Sequence, residues 1–227
     1  MLSWYVKRFR VKQKFLFFPI IQKDQDFRLL LENALPVSKI LEDTYHLEGR
    51  QVLLFVGRLI DIKNLFFLLD ALALVVNRYP KVILLFVGDG DQRVALERHA
   101  ERNGLADHVI FAGKKQGEDL YACYNVGQIF ILPSYYERFG AVVNEALLAG
   151  CYTLCSVVAG AACLIEPQKN GDLFDPASKT YLAEKLAQSL KDCEGLKQIS
   201  LKANKMCYSY DQYITSFFNQ LNSIIDK

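Results

Sequence analysis

Residues 130–150 read FILPSYYERFGAVVNEALLAG, and this stretch decides the fold. Its apolar start, 129–132, is a strand that breaks at Pro133-Ser134, since proline cannot donate to a ladder. A polar and aromatic loop carrying Glu137 follows, then an alanine- and leucine-rich helix from about Gly140. A strand feeding a helix leaves unpaired N–H groups and the positive end of the helix dipole at the junction, a place suited to phosphate. Glu137 and Glu145 bracket that junction. Carboxylates do not hold an anion; as acceptors they suit hydroxyl groups on the same ligand. Phosphate plus hydroxyls describes a sugar nucleotide.

The same grammar extends outward. The apolar runs 52–56 (VLLFV), 82–87 (VILLFV) and 109–112 (VIFA) end at Gly57, Gly88 and Gly113, and 152–158 ends near Gly160. Short runs without alternation are what strands buried on both faces look like. Helical patterns at 64–78, 92–103, 118–124 and 140–149 lie between them. Alternation at this spacing predicts an α/β fold, a doubly wound Rossmann-like parallel sheet, with ligands at the C-terminal ends of its strands.

Before this region, 14–21 (KFLFFPII) reads as a strand bent by Pro19, and 27–33 and 38–45 as short helices separated by Pro36. After Gly171 come a short apolar piece, Leu173-Phe174, and a turn at Asp175-Pro176. A helix over 178–191, a helical region over 196–206 and an aromatic-rich tail, 211–225, complete the chain. The expected division is a lead-in and linker, 1–48, a nucleotide-sugar-binding domain, 49–192, and C-terminal helices, 193–227.

Composition sets the bounds. A chain of 227 residues, 52% hydrophobic and 23% charged, holds one domain with extensions or two small ones. A net charge of +2 without a basic stripe argues against nucleic acid as a partner. The six cysteines show no Cys-x-x-Cys spacing and the three histidines no ligand spacing, so no metal is expected and the cysteines read as reduced, buried thiols of a cytosolic protein. The first residues, MLSWYVKRFRVKQKFLFFPII, are not expected to act as a secretory signal, because their basic residues are scattered and their apolar stretch is short. Residues 146–165 run for twenty positions without a charge, but Gly150 and Gly160 break the run into a helix end, a buried strand and a glycine loop rather than a membrane span. Lys7, Arg8, Arg10, Lys12 and Lys14 among Trp4, Tyr5, Phe9 and Phe15 form either a solvated edge or a peripheral contact for anionic lipid.

The first strand runs into VGRLIDIKN, 56–64, placing Arg58 and Lys63 at the C-terminal edge of the sheet. A bidentate fork beside a point charge suits a diphosphate. This is neither a Gly-x-x-x-x-Gly-Lys-Ser phosphate loop nor a Gly-x-Gly-x-x-Gly fingerprint, because only Gly88-Asp89-Gly90 follows the second strand. Singly, each of these groups reads as an ordinary loop or surface residue. Jointly, Arg58, Lys63, Gly88, Gly113, Glu137 and Glu145 all fall just after strand ends of one sheet, with Ser134, Arg138 and Asn144 as supporting groups.

The run VGRLIDIKN … LLFVGDG … VIFAGKK … DLYACYNVGQIFILPSYYERFGAVVNEALLAG resembles the C-terminal, donor-binding domain of the retaining glycosyltransferases of family 4, which have the GT-B fold, over about 50–190. The resemblance implies that Arg58 and Lys63 bind the donor diphosphate, Glu145 the ribose hydroxyls and Glu137 the transferred sugar. Arg58, Lys63 and Glu137 are then the catalytic groups. Backbone at Phe139, Gly140 and Ala141 would meet phosphate and sugar, Gly57 and Gly88 would leave room for the donor, and Gly113 and Lys114 would flank the base. The implied activity is transfer of a hexose from a UDP- or GDP-sugar to a glycan or lipid-linked acceptor with retention, in polysaccharide biosynthesis, without metal or other cofactor. The implied location is the cytoplasm, including the inner face of the plasma membrane.

WYVKRFRVKQKFLFFPIIQKDQDF, 4–27, resembles the linker between the two domains, so the acceptor-binding domain is expected to be missing from this chain. The family's last helix crosses back to that domain, which makes Tyr208, Tyr210, Tyr213, Phe217 and Phe218 either a docking face or part of the chain's own core. Two departures bear on the donor sugar: Gly150-Cys151-Tyr152-Thr153 stands where the family has Gly-x-Pro, and 157–163 (VVAGAAC) where it often has Asp-x-Gly-Gly-x-x-Glu. Two alternatives stay open. One is a non-catalytic donor-binding half that pairs with another chain or is a truncated remnant. The other is a sugar-nucleotide epimerase of the same fold, against which Phe139-Gly140 between the glutamates argues.

Overall fold

The computed structural model describes residues 16, 18–192 and 200–225. Six parallel strands form one sheet: β1 (Gln51–Val56), β2 (Val82–Val87), β3 (Val109–Gly113), β4 (Ile129–Leu132), β5 (Tyr152–Ser156) and β6 (Gly171–Phe174), in the order β3-β2-β1-β4-β5-β6. Chain order reverses between β1 and β4, where Leu53 pairs with Ile129 and Leu54 with Phe130. That reversal opens a crevice at the C-terminal ends of the two strands, the usual ligand position in open α/β sheets.

The helices are α1 (Asp24–Asn33), α2 (Leu35–Thr44), α3 (Leu65–Val75), α4 (Arg93–Arg102), α5 (Glu118–Val126), α6 (Val142–Leu148), α7 (Lys179–Asp192) and α8 (Tyr210–Ile225). Successive strand residues point to opposite faces, so one run feeds two cores. Val52, Leu54, Val56, Phe130 and Leu132 pack with α1, α2, α5 and α6. Leu53, Phe55, Ile129 and Ile131 pack with α3, α4 and α7. Fully burying one such side chain is worth roughly 1.5–3 kcal/mol, which accounts for the absence of alternation.

Several readings of the sequence are corrected. The apolar piece after Gly171 is a true edge strand: a Cβ at Gly171 would lie 2.1 Å from the Thr153 carbonyl oxygen, so only glycine lets β6 approach β5. Strand β5 ends at Ser156, two residues short of the expected end. The helical region expected over 196–206 is absent over 200–206, and 193–199 lie outside the described residues. Polar groups of 200–206 are spent on the main body instead: the Lys205 N–H donates to the Leu147 carbonyl at 2.9 Å and the Asn204 amide to Asp24 at 3.0 Å.

The lead-in is integral to the core. Phe27, Leu31, Leu41 and Leu47 are buried with α5 and α6. Pro36 lies in the first turn of α2, where its missing N–H costs nothing, and so starts a helix rather than separating two. Of the strand expected over 14–21, the described residues 16 and 18–21 form none, and the rest lie outside the described residues, as does the basic and aromatic cluster at 4–15. In α8, Tyr213 packs on the core and Phe217 meets Phe18 edge-on at 5.8 Å, while Phe218 and, just before the helix, Tyr208 stay exposed. Among the described residues no helix is long and apolar enough to cross a membrane, and 146–165 divide into the end of α6, β5 and a 3-10 turn, Gly160–Leu164.

Candidate functional site

The loop leaving β1 and the loop leaving β4 meet over the crevice. Lys63 ends a 3-10 turn, Asp61–Lys63, and Asn64 follows in a left-handed conformation, φ 58°. The Asn64 amide donates to the carbonyls of Pro133 at 3.3 Å and Pro176 at 3.0 Å, tying the ends of β1, β4 and β6 together. The Tyr135 N–H donates to the Ile62 carbonyl at 3.2 Å, and its hydroxyl to the Asp61 carboxylate. Between these ties the Lys63 ammonium donates to the Glu137 carboxylate in an ion pair whose side chains are 14% and 16% exposed. Two residues expected at the diphosphate and at the sugar are thus in direct contact.

Arg58 lies on the same loop, directly after Gly57; it is exposed and forms no ion pair among the described residues. The neighbouring strand ends pack backbone on backbone. The Gly57 N–H donates to the Val87 carbonyl and the Gly88 N–H to the Gly113 carbonyl, both at 2.9 Å. A Cβ at Gly88 would lie 1.8 Å from the Gly57 oxygen, so the bare backbone lowers the rim at this point. Lys114 is exposed beyond it. Across the crevice Phe139, Gly140 and Ala141 are half-buried, and the Ala161 N–H holds the Phe139 carbonyl at 2.7 Å.

Glu145 lies in the first turn of α6, half-buried. One of its oxygens accepts a 2.6 Å hydrogen bond from the Tyr124 hydroxyl on α5. Burial, followed by the Glu145 charge, raises the Tyr124 pKa well above the ordinary phenol value, so the phenol stays a donor. Nothing in the sequence pointed to Tyr124, because its partner lies 21 residues away and they meet only through the packing of α5 on α6. Asn144 has a different task from the one expected. Its oxygen accepts from the Gln22 N–H at 2.7 Å and its amide reaches Met206 sulfur at 3.4 Å, so it holds the lead-in and tail from the buried side of α6. Ser134 is fully buried, with no hydrogen-bond partner for its hydroxyl among the described residues, and Arg138 is exposed. No group of three or more metal-ligating residues forms among the described residues.

The model of the glycosyl transferases group 1 family matches residues 38–206, most of the chain and all of this crevice. The chain belongs to the group 1 glycosyl transferases. An uncharacterized glycosyltransferase of Methanocaldococcus jannaschii is 30% identical to it over 161 residues, 71% of this chain and 41% of that protein. Among solved structures, the HepE protein of Anabaena in complex with UDP has a TM-score of 0.71 at 22% identity, covering 94% of this chain and 57% of that one. The C-terminal domain of a group 1 glycosyl transferase from Francisella tularensis, LpcC, has a TM-score of 0.63 at 21% identity, covering 89% of this chain and 96% of that one. These likenesses establish the fold as that of the C-terminal half of GT-B glycosyltransferases. This group 1 chain spans about two fifths of the length of the curated relatives it matches.

Proposed function

We propose that this chain is the nucleotide-sugar-binding half of a retaining glycosyltransferase. The carrying observation is the meeting of Lys63 and Glu137, with Arg58 on the same loop leaving β1, at the reversal of strand order between β1 and β4. Arg58 grips the diphosphate by two parallel hydrogen bonds and Lys63 adds a point charge. As the sugar leaves, negative charge grows on the diphosphate. Once Lys63 has exchanged Glu137 for the diphosphate, the two cations stabilise that charge and take the place of a metal. Glu137 accepts from sugar hydroxyls and Glu145 from the ribose, while Gly113 and Lys114 border the base. The Anabaena structure with UDP supports a uracil base, and the transferred unit is a hexose. An acceptor domain, joined through the lead-in or supplied by another chain, completes a cytoplasmic enzyme acting on a glycan or lipid-linked acceptor.

Calorimetric titration of the full chain with UDP, GDP and their common sugar conjugates tests this, repeated on Arg58→Ala and Glu145→Ala. Saturable one-site binding to one base, weakened about tenfold or more by each change (about 1.4 kcal/mol), is the expected result. Affinities unmoved by both substitutions, or no binding at all, would overturn the reading for this chain.

A further inference from the structure

A buried phenol holds the carboxylate assigned to the ribose. Tyr124 is fully buried, its ring against Phe27 and Phe130, with centroids 6.3 and 6.4 Å away. Side chains lean toward the N-terminus of their own helix, and α5 begins just after the C-terminal end of β3. A tyrosine late in α5 therefore reaches back toward the ligand edge, where α6 starts. Its hydroxyl donates to one Glu145 oxygen at 2.6 Å, the length of a charge-assisted O–H···O⁻ bond. Among the described residues no other group donates to that carboxylate. The terminal torsion of a glutamate is otherwise broad and roughly two-fold, so an unheld carboxylate would spread its oxygens over many directions.

We propose that Tyr124 is a positioning residue for ribose recognition: it pins one Glu145 oxygen from the core side and presents the other to the vicinal hydroxyls of the donor's ribose. This rests on the donor-site reading above. Preorganisation of this kind lowers the ordering cost of binding, and it acts only on a ligand that has those hydroxyls. Selectivity for a ribonucleotide is therefore set partly by a residue that never touches the ligand.

The test is calorimetric titration of the full chain with UDP and with 2′,3′-dideoxy-UDP, on wild type, Tyr124→Phe and Glu145→Ala. Phenylalanine keeps the ring packed on Phe27 and Phe130 and removes only the hydroxyl. Tyr124→Phe should weaken UDP about three- to tenfold and leave dideoxy-UDP unchanged. Equal weakening of both ligands, or of neither, would show a merely structural phenol and overturn the inference. If Glu145→Ala itself leaves the preference for UDP over dideoxy-UDP intact, the donor-site assignment of Glu145 fails, and this inference with it. A lost preference in Glu145→Ala alongside an unchanged one in Tyr124→Phe defeats the positioning role alone.

Discussion

Lys63 and Glu137, 74 residues apart in sequence, form an ion pair across the crevice between the ends of β1 and β4. The pair is mostly shielded from solvent, so removing one partner leaves a poorly hydrated charge. It also means that the cation assigned to the diphosphate is already neutralised by the carboxylate assigned to the sugar. Under the donor-site reading proposed above, an incoming diphosphate would compete with Glu137 for Lys63, and the displaced carboxylate would be released toward the sugar.

Glu137→Gln should therefore bind UDP more tightly, not less. Removing the competing charge is expected to raise affinity roughly fivefold, about 1 kcal/mol. The same variant should lose whatever affinity the sugar of a UDP-hexose adds. Titration with UDP and UDP-hexoses reads both. Weaker UDP binding would show that Glu137 orients Lys63 rather than competing for it.

Lys202 reaches under α5, its ammonium donating to the carbonyls of Tyr124 at 3.2 Å, Asn125 at 3.0 Å and Gly127. These groups lie at and just beyond the end of the helix, where carbonyls lack intrahelical partners. Lys202→Met keeps much of the stem packing and abandons the carbonyls, for a loss of about 1–3 kcal/mol. For a chain this long each kcal/mol lowers Tm by about 2–4 °C. Thermal unfolding should show that loss while nucleotide affinity, read at the far edge of the sheet, stays within twofold of wild type, on the order of 0.4 kcal/mol.

Asp70 joins α3 to α4 and α7, accepting from His99 at 2.6 Å and Lys179 at 3.1 Å. Burial acts to raise its pKa, but the hydrogen bonds from His99 and then Lys179 outweigh it, and the net shift is downward. A carboxyl lowered in the folded state contributes stability above its unfolded pKa, near 3.8, which is lost as pH falls through the folded value. Asp70→Asn should reduce stability at neutral pH and flatten the dependence below about pH 4. Urea titrations of both proteins from neutral pH to pH 3 check this. Parallel pH profiles would rule out the tie.

Cys123, Cys151 and Cys155 are buried, whereas Cys163 is exposed and Cys207 half-exposed. Burial pushes the Cys123 thiol up to about 12, and it pushes Cys151 and Cys155 up as well. Thiolate is the reacting form, so these three should resist iodoacetamide in the folded chain at pH 8 and react once it is unfolded in guanidinium. Mass spectrometry of tryptic peptides reads each position. Modification of Cys155 in the folded chain would mean that the sheet opens locally around β5.

Much of this molecule is written locally. Apolar runs stopped by glycine or by Pro-Ser announce strands that are buried on both faces. Their alternation with helical periods admits few topologies besides a doubly wound parallel sheet. The residues at the strand ends could be named in advance for the same reason, since each follows its own strand. Where the sequence misled, the cause was tertiary. Residues 200–206 have a helical composition, but their polar groups find better partners on α1, α5 and α6. The short run at Gly171 becomes a strand only because β5 offers an unpaired edge, and Asn144 turned from the site to the tail.

What the sequence determined by itself is therefore the alphabet of the candidate site: two cations, two carboxylates and bare backbone, each placed by the apolar strand that it follows. Pairing was decided by the tertiary structure. That Lys63 meets Glu137, and that Tyr124 grips Glu145, follows from the strand order and from the packing of α5 on α6. Contacts between residues far apart in sequence depend on how whole elements pack, and no local pattern encodes that.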